Sequence, residues 1–109
     1  MSPERRRNRR VVVTDVPARI TVGSETLGGH VQDICRDAAL VEVERSFPLQ
    51  TPMTVEVELP GVKGVIRASG RVIRLTAYED GRHSLAILFD DLPKEHLLRI
   101  DLFISEQEA

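Results

Sequence analysis

The chain has 109 residues, 41% of them hydrophobic and 29% charged, with a formal charge of −2. That is enough for one domain with a buried core, and nothing in the composition suggests disorder. No apolar run approaches the ~20 residues of a membrane-crossing helix, and the one cysteine, Cys35, excludes an internal disulfide; the slight negative charge and the scarcity of aromatics (no Trp, one Tyr, three Phe) argue against a broad basic nucleic-acid face or a base-stacking platform.

Residues 1–10 form a basic arm. Arg5, Arg6, Arg7, Arg9 and Arg10 stand against Glu4, a local balance of +4. The other 99 residues hold 10 of the 15 Lys+Arg and 16 of the 17 Asp+Glu, a balance of −6. Five guanidiniums at the edge of an acidic domain suit an anion site, because each planar fork donates two hydrogen bonds to phosphate and stacks on flat rings. No apolar stretch of signal-peptide type follows, so a cytoplasmic protein is expected; a single free thiol fits a reducing compartment.

Val11-Val12-Val13 predicts a strand that fastens the arm. Arg19–Val22 predicts another, closed by Gly23-Ser24. Leu27–Ile34 follows, with Gly28-Gly29 marking a bulge or a close approach. Leu40–Glu44 alternates apolar and acidic residues. Met53–Leu59 has the clearest period of two, ended by Pro60-Gly61. Val65–Leu75 predicts a long strand with Gly70 as a kink, Glu79-Asp80-Gly81 a turn, and His83–Phe89 the last strand. The period then changes. Asp90 or Asp91 can cap a helix with Pro93 in its first turn, and Leu97, Ile100, Phe103 and Ile104 share one helical face. The chain therefore reads as all-β: six or seven antiparallel strands in a small barrel or sandwich, plugged or flanked by a short C-terminal helix. Residues 11–109 form this one domain.

Catalytic patterns are weak, and no enzyme is expected. His30, His83 and His96 have no metal-ligand spacing with one another or with Cys35, so neither a metal nor a cofactor is expected. Glu42, Glu44, Glu56 and Glu58 alternate with apolar residues, as on a solvated sheet face. Cys35 is either a reactive thiol favoured by Arg36 or a small residue packed at a strand end. More informative is the end of the second predicted strand, Asp33-Ile34-Cys35-Arg36-Asp37-Ala38. A carboxylate such as Asp33 can accept two N–H donors from a guanine Watson–Crick edge, while arginines take guanine O6 and N7 and the phosphates.

These segments, in this order, resemble a PilZ domain, the bacterial receptor module for cyclic di-GMP. Glu4-Arg5-Arg6-Arg7-Asn8-Arg9-Arg10-Val11 resembles the family's Arg-x-x-x-Arg opening, with Arg6 and Arg10 as the pair and Arg5 with Arg9 as the other register. Asp33–Ala38 falls on its Asp/Asn-x-Ser-x-x-Gly motif. Gly70-Arg71-Val72-Ile73-Arg74 and Leu85-Ala86-Ile87-Leu88-Phe89 resemble its Gly-Arg-Val-x-Arg and Ile-Gly-Val-x-Phe strands. The resemblance implies a six-stranded barrel with a C-terminal helix. It also implies a cyclic di-GMP site made by Arg5, Arg6, Arg9, Arg10, Asp33, Cys35 and Ala38, and a partner protein regulated by binding. Nucleic acid and membrane insertion are not implied. Three positions depart from the pattern: Cys35 replaces the serine, Ala38 the motif glycine, and Ala86 the strand glycine. A thiol is a poor substitute for a hydroxyl, and losing one hydrogen bond to a charged group weakens binding by about 1.5–3 kcal/mol. Ala38 adds about 1 kcal/mol if its backbone needs positive φ or close approach. Two functions of different class follow: a cyclic di-GMP receptor, or a degenerate adaptor that binds protein without nucleotide.

Overall fold

A computed structural model describes residues 10–108. Six antiparallel strands are present in them: β1 (Val11–Val22), β2 (Glu25–Ile34), β3 (Ala38–Val43), β4 (Pro52–Val57), β5 (Ile66–Ala77) and β6 (His83–Asp91). One helix follows, α1 (Lys94–Glu108). The strands close into a barrel in the order β1-β2-β3-β6-β5-β4, and β4 returns to pair with β1.

The two strands predicted at Val11–Val13 and Arg19–Val22 are a single strand. Pro17 does not break it. Pro17 lies one residue beyond the last pair with β4, Ala18↔Val57, where its missing N–H takes nothing from that ladder. Most of the other strands match the alternation that predicted them. Met53, Val55 and Val57 are buried, with Thr54 and Glu56 half-exposed between them. Inward residues such as Ile20, Val41, Val72, Leu85 and Ile87 fill the interior, each contributing about 1.5–3 kcal/mol by burial.

The end of β6 departs from the sequence reading. Asp90 and Asp91 belong to the strand and do not cap the helix. The backbone carbonyl of Pro93 instead accepts from His96 N and Leu97 N at 2.9 and 3.0 Å, so Pro93 occupies the cap position. Ile100, Phe103 and Ile104 bury one helical face in the core, and Leu97 is half-buried beside them. Polar contacts hold the helix on both sides. Arg67 N donates to His96 Nδ1 at 2.6 Å, Arg99 Nη1 donates to the Val65 carbonyl at 2.9 Å, and Arg36 Nε pairs with Asp101 at 2.8 Å.

Close backbone approach appears at two glycines. A Cβ on Gly29 would lie 2.6 Å from the Glu42 carbonyl, and one on Gly70 would collide with the Leu88 carbonyl. Gly70 also adjoins a register shift, the kink expected there. The bulge of β2, however, lies at Gln32 and not at Gly28-Gly29.

Candidate functional site

Two single-residue bulges build the site. In β2, Val31 pairs with Val41 and Asp33 with Leu40, so Gln32 is an extra residue without a partner on β3. In β5, Val72 pairs with Ile87 and Arg74 with Ala86, so Ile73 is extra in the same way. Strict alternation from Val31 and Val72 would turn Asp33 and Arg74 inward. Each bulge resets the phase: Val31 and Ile34 both face the core, as do Val72 and the half-buried Leu75. Asp33, Leu40, Ala86 and Arg74 consequently form one row across β2, β3, β6 and β5 on the outer face of the barrel.

A shallow depression of about 210 Å³ lies on this row. Arg10, Asp33, Cys35, Ala38, Ile73 and Arg74 are among its lining residues, with Leu40 and Ala86. Four of the residues predicted from sequence, Arg10, Asp33, Cys35 and Ala38, thus meet at one place. Arg5, Arg6 and Arg9 lie outside the described residues. Arg74 was not among the predicted site residues. Its outward placement depends on the bulge at Ile73, which the sequence does not mark, since Ile73 and Leu75 alone would fit plain alternation.

Burial pushes the Asp33 carboxyl above its ordinary value, against the opposing pull of Arg10 and Arg74. The folded state therefore favours the protonated form. This contribution to stability is complete below the unfolded value of 3.8 and is lost as pH rises through the folded value. Asp33→Asn should consequently raise the denaturation midpoint at pH 7 and leave it nearly unchanged at pH 3. Equal midpoints at both pH values would contradict a carboxylate held at the expense of stability.

Cys35 is only 4% exposed, and its Sγ donates to Asp37 Oδ1 at 3.1 Å. Burial and that hydrogen bond push the thiol up, so the reactive-thiolate reading fails. Arg36 does not assist ionisation, because its guanidinium pairs with Asp101 on the helix. Cys35 N donates to the Ala38 carbonyl at 2.9 Å, and the Asp37 carbonyl accepts from Phe89 N at 2.8 Å, which ties the loop to β6. Ala38 is the first residue of β3, and its φ is not positive. The expected backbone penalty is therefore absent, and its methyl group adds bulk to the depression.

The remaining charged groups are mostly occupied elsewhere. Glu42 pairs with Arg82 and Glu56 with Arg67, both at the outer surface. Two larger hollows, about 520 and 430 Å³, flank Glu56 and Val65 on another side of the barrel. None of the predicted site residues lines them. Among the described residues no cluster of His, Cys, Asp or Glu could hold a metal ion, and no helix is long and apolar enough to cross a membrane.

The fold is thus a closed six-stranded antiparallel barrel with a C-terminal helix, and Asp33 of the Asp33–Ala38 motif stands on its outer row. The sequence matches the PilZ domain over residues 4–106, and the chain belongs to the PilZ domain family, a family of cyclic di-GMP-binding domains. No curated protein matches it in sequence. Among solved structures, it is similar to the PilZ domain of YcgR with cyclic di-GMP from Escherichia coli, at 17% identity and a TM-score of 0.70, covering 96% of this chain and 94% of that one. It is similar to the inhibitor of motility MotI/DgrA of Bacillus subtilis at 13% identity and a TM-score of 0.75, covering 91% of this chain and 49% of that one. It is also similar to the PilZ domain of CeSA from a cellulose-synthesizing bacterium, at 20% identity and a TM-score of 0.62, covering 92% and 98%. The chain spans about half the length of the MotI/DgrA chain and of a longer YcgR chain solved in complex with cyclic di-GMP.

Proposed function

We propose that the chain is a non-enzymatic receptor for cyclic di-GMP that passes the binding event to a partner protein. The observation that carries this reading is the convergence of Arg10, Asp33 and Arg74 on one depression at the second motif. As a carboxylate, Asp33 accepts the N–H donors of a guanine edge; the two arginines supply planar donors to ring acceptors or phosphate. Leu40, Ala86 and Ile73 give the ring an apolar surface. The depression holds about 210 Å³, below the ~300–1,000 Å³ usual for a small-molecule site, so it takes part of a dinucleotide. In this reading the basic arm, through Arg6 and Arg10 or Arg5 and Arg9, covers the rest and presents a changed surface to the partner. The YcgR structures with cyclic di-GMP support the ligand assignment, and the likeness to MotI/DgrA, an inhibitor of motility, suggests the kind of process controlled.

One observation favours the nucleotide-free adaptor. The Cys35 thiol is buried and already donates to Asp37, and Ala38 adds a methyl group, so the motif gives less to a ligand than the family pattern does. Calorimetric titration with cyclic di-GMP separates the two. The receptor should bind with a Kd of about micromolar order, the remaining charge-assisted contacts offsetting those lost. No heat at near-millimolar ligand would leave the adaptor.

A further inference from the structure

Asp33 sits beside Gln32, the one residue of this part of β2 that neither neighbouring ladder fixes. On the β3 side Gln32 has no partner, and on the β1 side the register jumps from Val12↔Asp33 to Val16↔Val31. A residue outside both registers is held less firmly by the ladders, so a contact of its side chain can fix its place. Gln32 reaches over β3 to Ser84 on β6: Ser84 Oγ donates to Gln32 Oε1 at 2.6 Å. Ser84 has a single proton to give, so the Tyr78 hydroxyl, 3.0 Å away, donates to Ser84 Oγ. The chain of donors thus runs from Tyr78 to Ser84 to Gln32. Ser84 is 3% exposed and is the buried polar side chain among the described residues. A buried hydroxyl with both neighbours satisfied holds its geometry firmly, because moving either partner leaves a polar group unpaired.

We infer that Ser84, through Gln32, is a positioning residue that pins the β2 bulge and so aims the Asp33 carboxylate into the depression. For the role of Asp33 toward a ligand the inference rests on the receptor reading; for the aim of the carboxylate it does not. Nothing in the Asp33–Ala38 motif itself points to Ser84, which lies 51 residues from Asp33 in sequence, on a strand that does not pair with β2.

The test uses Ser84→Ala, which removes the donor, and Gln32→Leu, which keeps the shape and removes the acceptor. The first readout is the side-chain carboxyl titration of Asp33 by carbon NMR in the ligand-free protein, read beside a thermal melt of each variant. Both variants should move the Asp33 midpoint toward its ordinary value of 3.8, because a loosened bulge lets water reach the carboxyl. A general loss of stability would not single out Asp33. The second readout is calorimetric affinity for cyclic di-GMP, which should fall by about threefold to tenfold in each variant, the worth of one neutral hydrogen bond. A parent-like Asp33 midpoint in either variant overturns the inference. So does parent-like affinity in both variants when the parent binds. If the parent does not bind cyclic di-GMP, the receptor reading falls, and the carboxyl titration still decides whether Ser84 aims Asp33.

Discussion

Gly70→Ala will destabilise the barrel by about 2–3 kcal/mol, the overpacking penalty where the obstacle is backbone and cannot rotate away. For a domain of this size that lowers the melting temperature by roughly 10 °C or more. The new methyl group would run into the Leu88 carbonyl of β6, and relief would require β5 and β6 to separate beside the register shift at Gly70. Gly28→Ala is the matched control. A Cβ there meets nothing within 4 Å, so alanine should be neutral or stabilising by up to about 1 kcal/mol through reduced unfolded-state freedom. Thermal melts of the two variants settle the matter. If Gly70→Ala melted with the parent, β5 and β6 would not approach as closely as described.

Arg74→Ala will weaken cyclic di-GMP binding by about tenfold to a hundredfold, the value of one charge-assisted hydrogen bond of 1.5–3 kcal/mol. Arg10→Ala should act alike, since both guanidiniums line the depression and attract Asp33. Arg67→Ala should leave affinity unchanged, because Arg67 pairs with Glu56 away from the depression. Titrating all three variants separates a local site from a general electrostatic attraction. Equal losses in Arg74→Ala and Arg67→Ala would mean that overall charge attracts the nucleotide and the row is not its site. Full affinity in Arg74→Ala would remove β5 from the site altogether.

The barrel was legible in the sequence because its strands alternate. Met53, Val55 and Val57 in β4 and Ile66, Ala68 and Gly70 in β5 show the inward positions without a structure. The helix was legible because the period changes after Pro93. The boundary between β6 and α1 was not, since Asp90 and Asp91 suit a cap as well as a solvated strand end, and tertiary pairing with β5 decided between them. The continuity of β1 was missed because a proline reads as a breaker unless the unpaired side of its strand is known. For the site, chemistry and motif order pointed to Asp33, Cys35 and Ala38, and the structure brings them to the same depression as Arg10. Arg74 was read only as part of a strand resemblance and not assigned to the site, because the bulge at Ile73 that brings it beside Ala86 on the outer row is visible only in the pairing of β5 with β6. Ser84 was beyond reach, since its partner Gln32 lies across an intervening strand.

The two bulges also bear on how such a barrel drifts over generations. Removing Gln32 would leave Val31, Asp33 and Ile34 as a regular in–out–in ladder, and removing Ile73 would do the same for Val72, Arg74 and Leu75. At these two points the chain can lose a residue while the alternation of that strand toward the core is kept. A one-residue insertion or deletion elsewhere in a strand would exchange inside for outside along the rest of it. The tolerance for a change of length thus falls on β2 and β5, the two strands whose Asp33 and Arg74 line the depression.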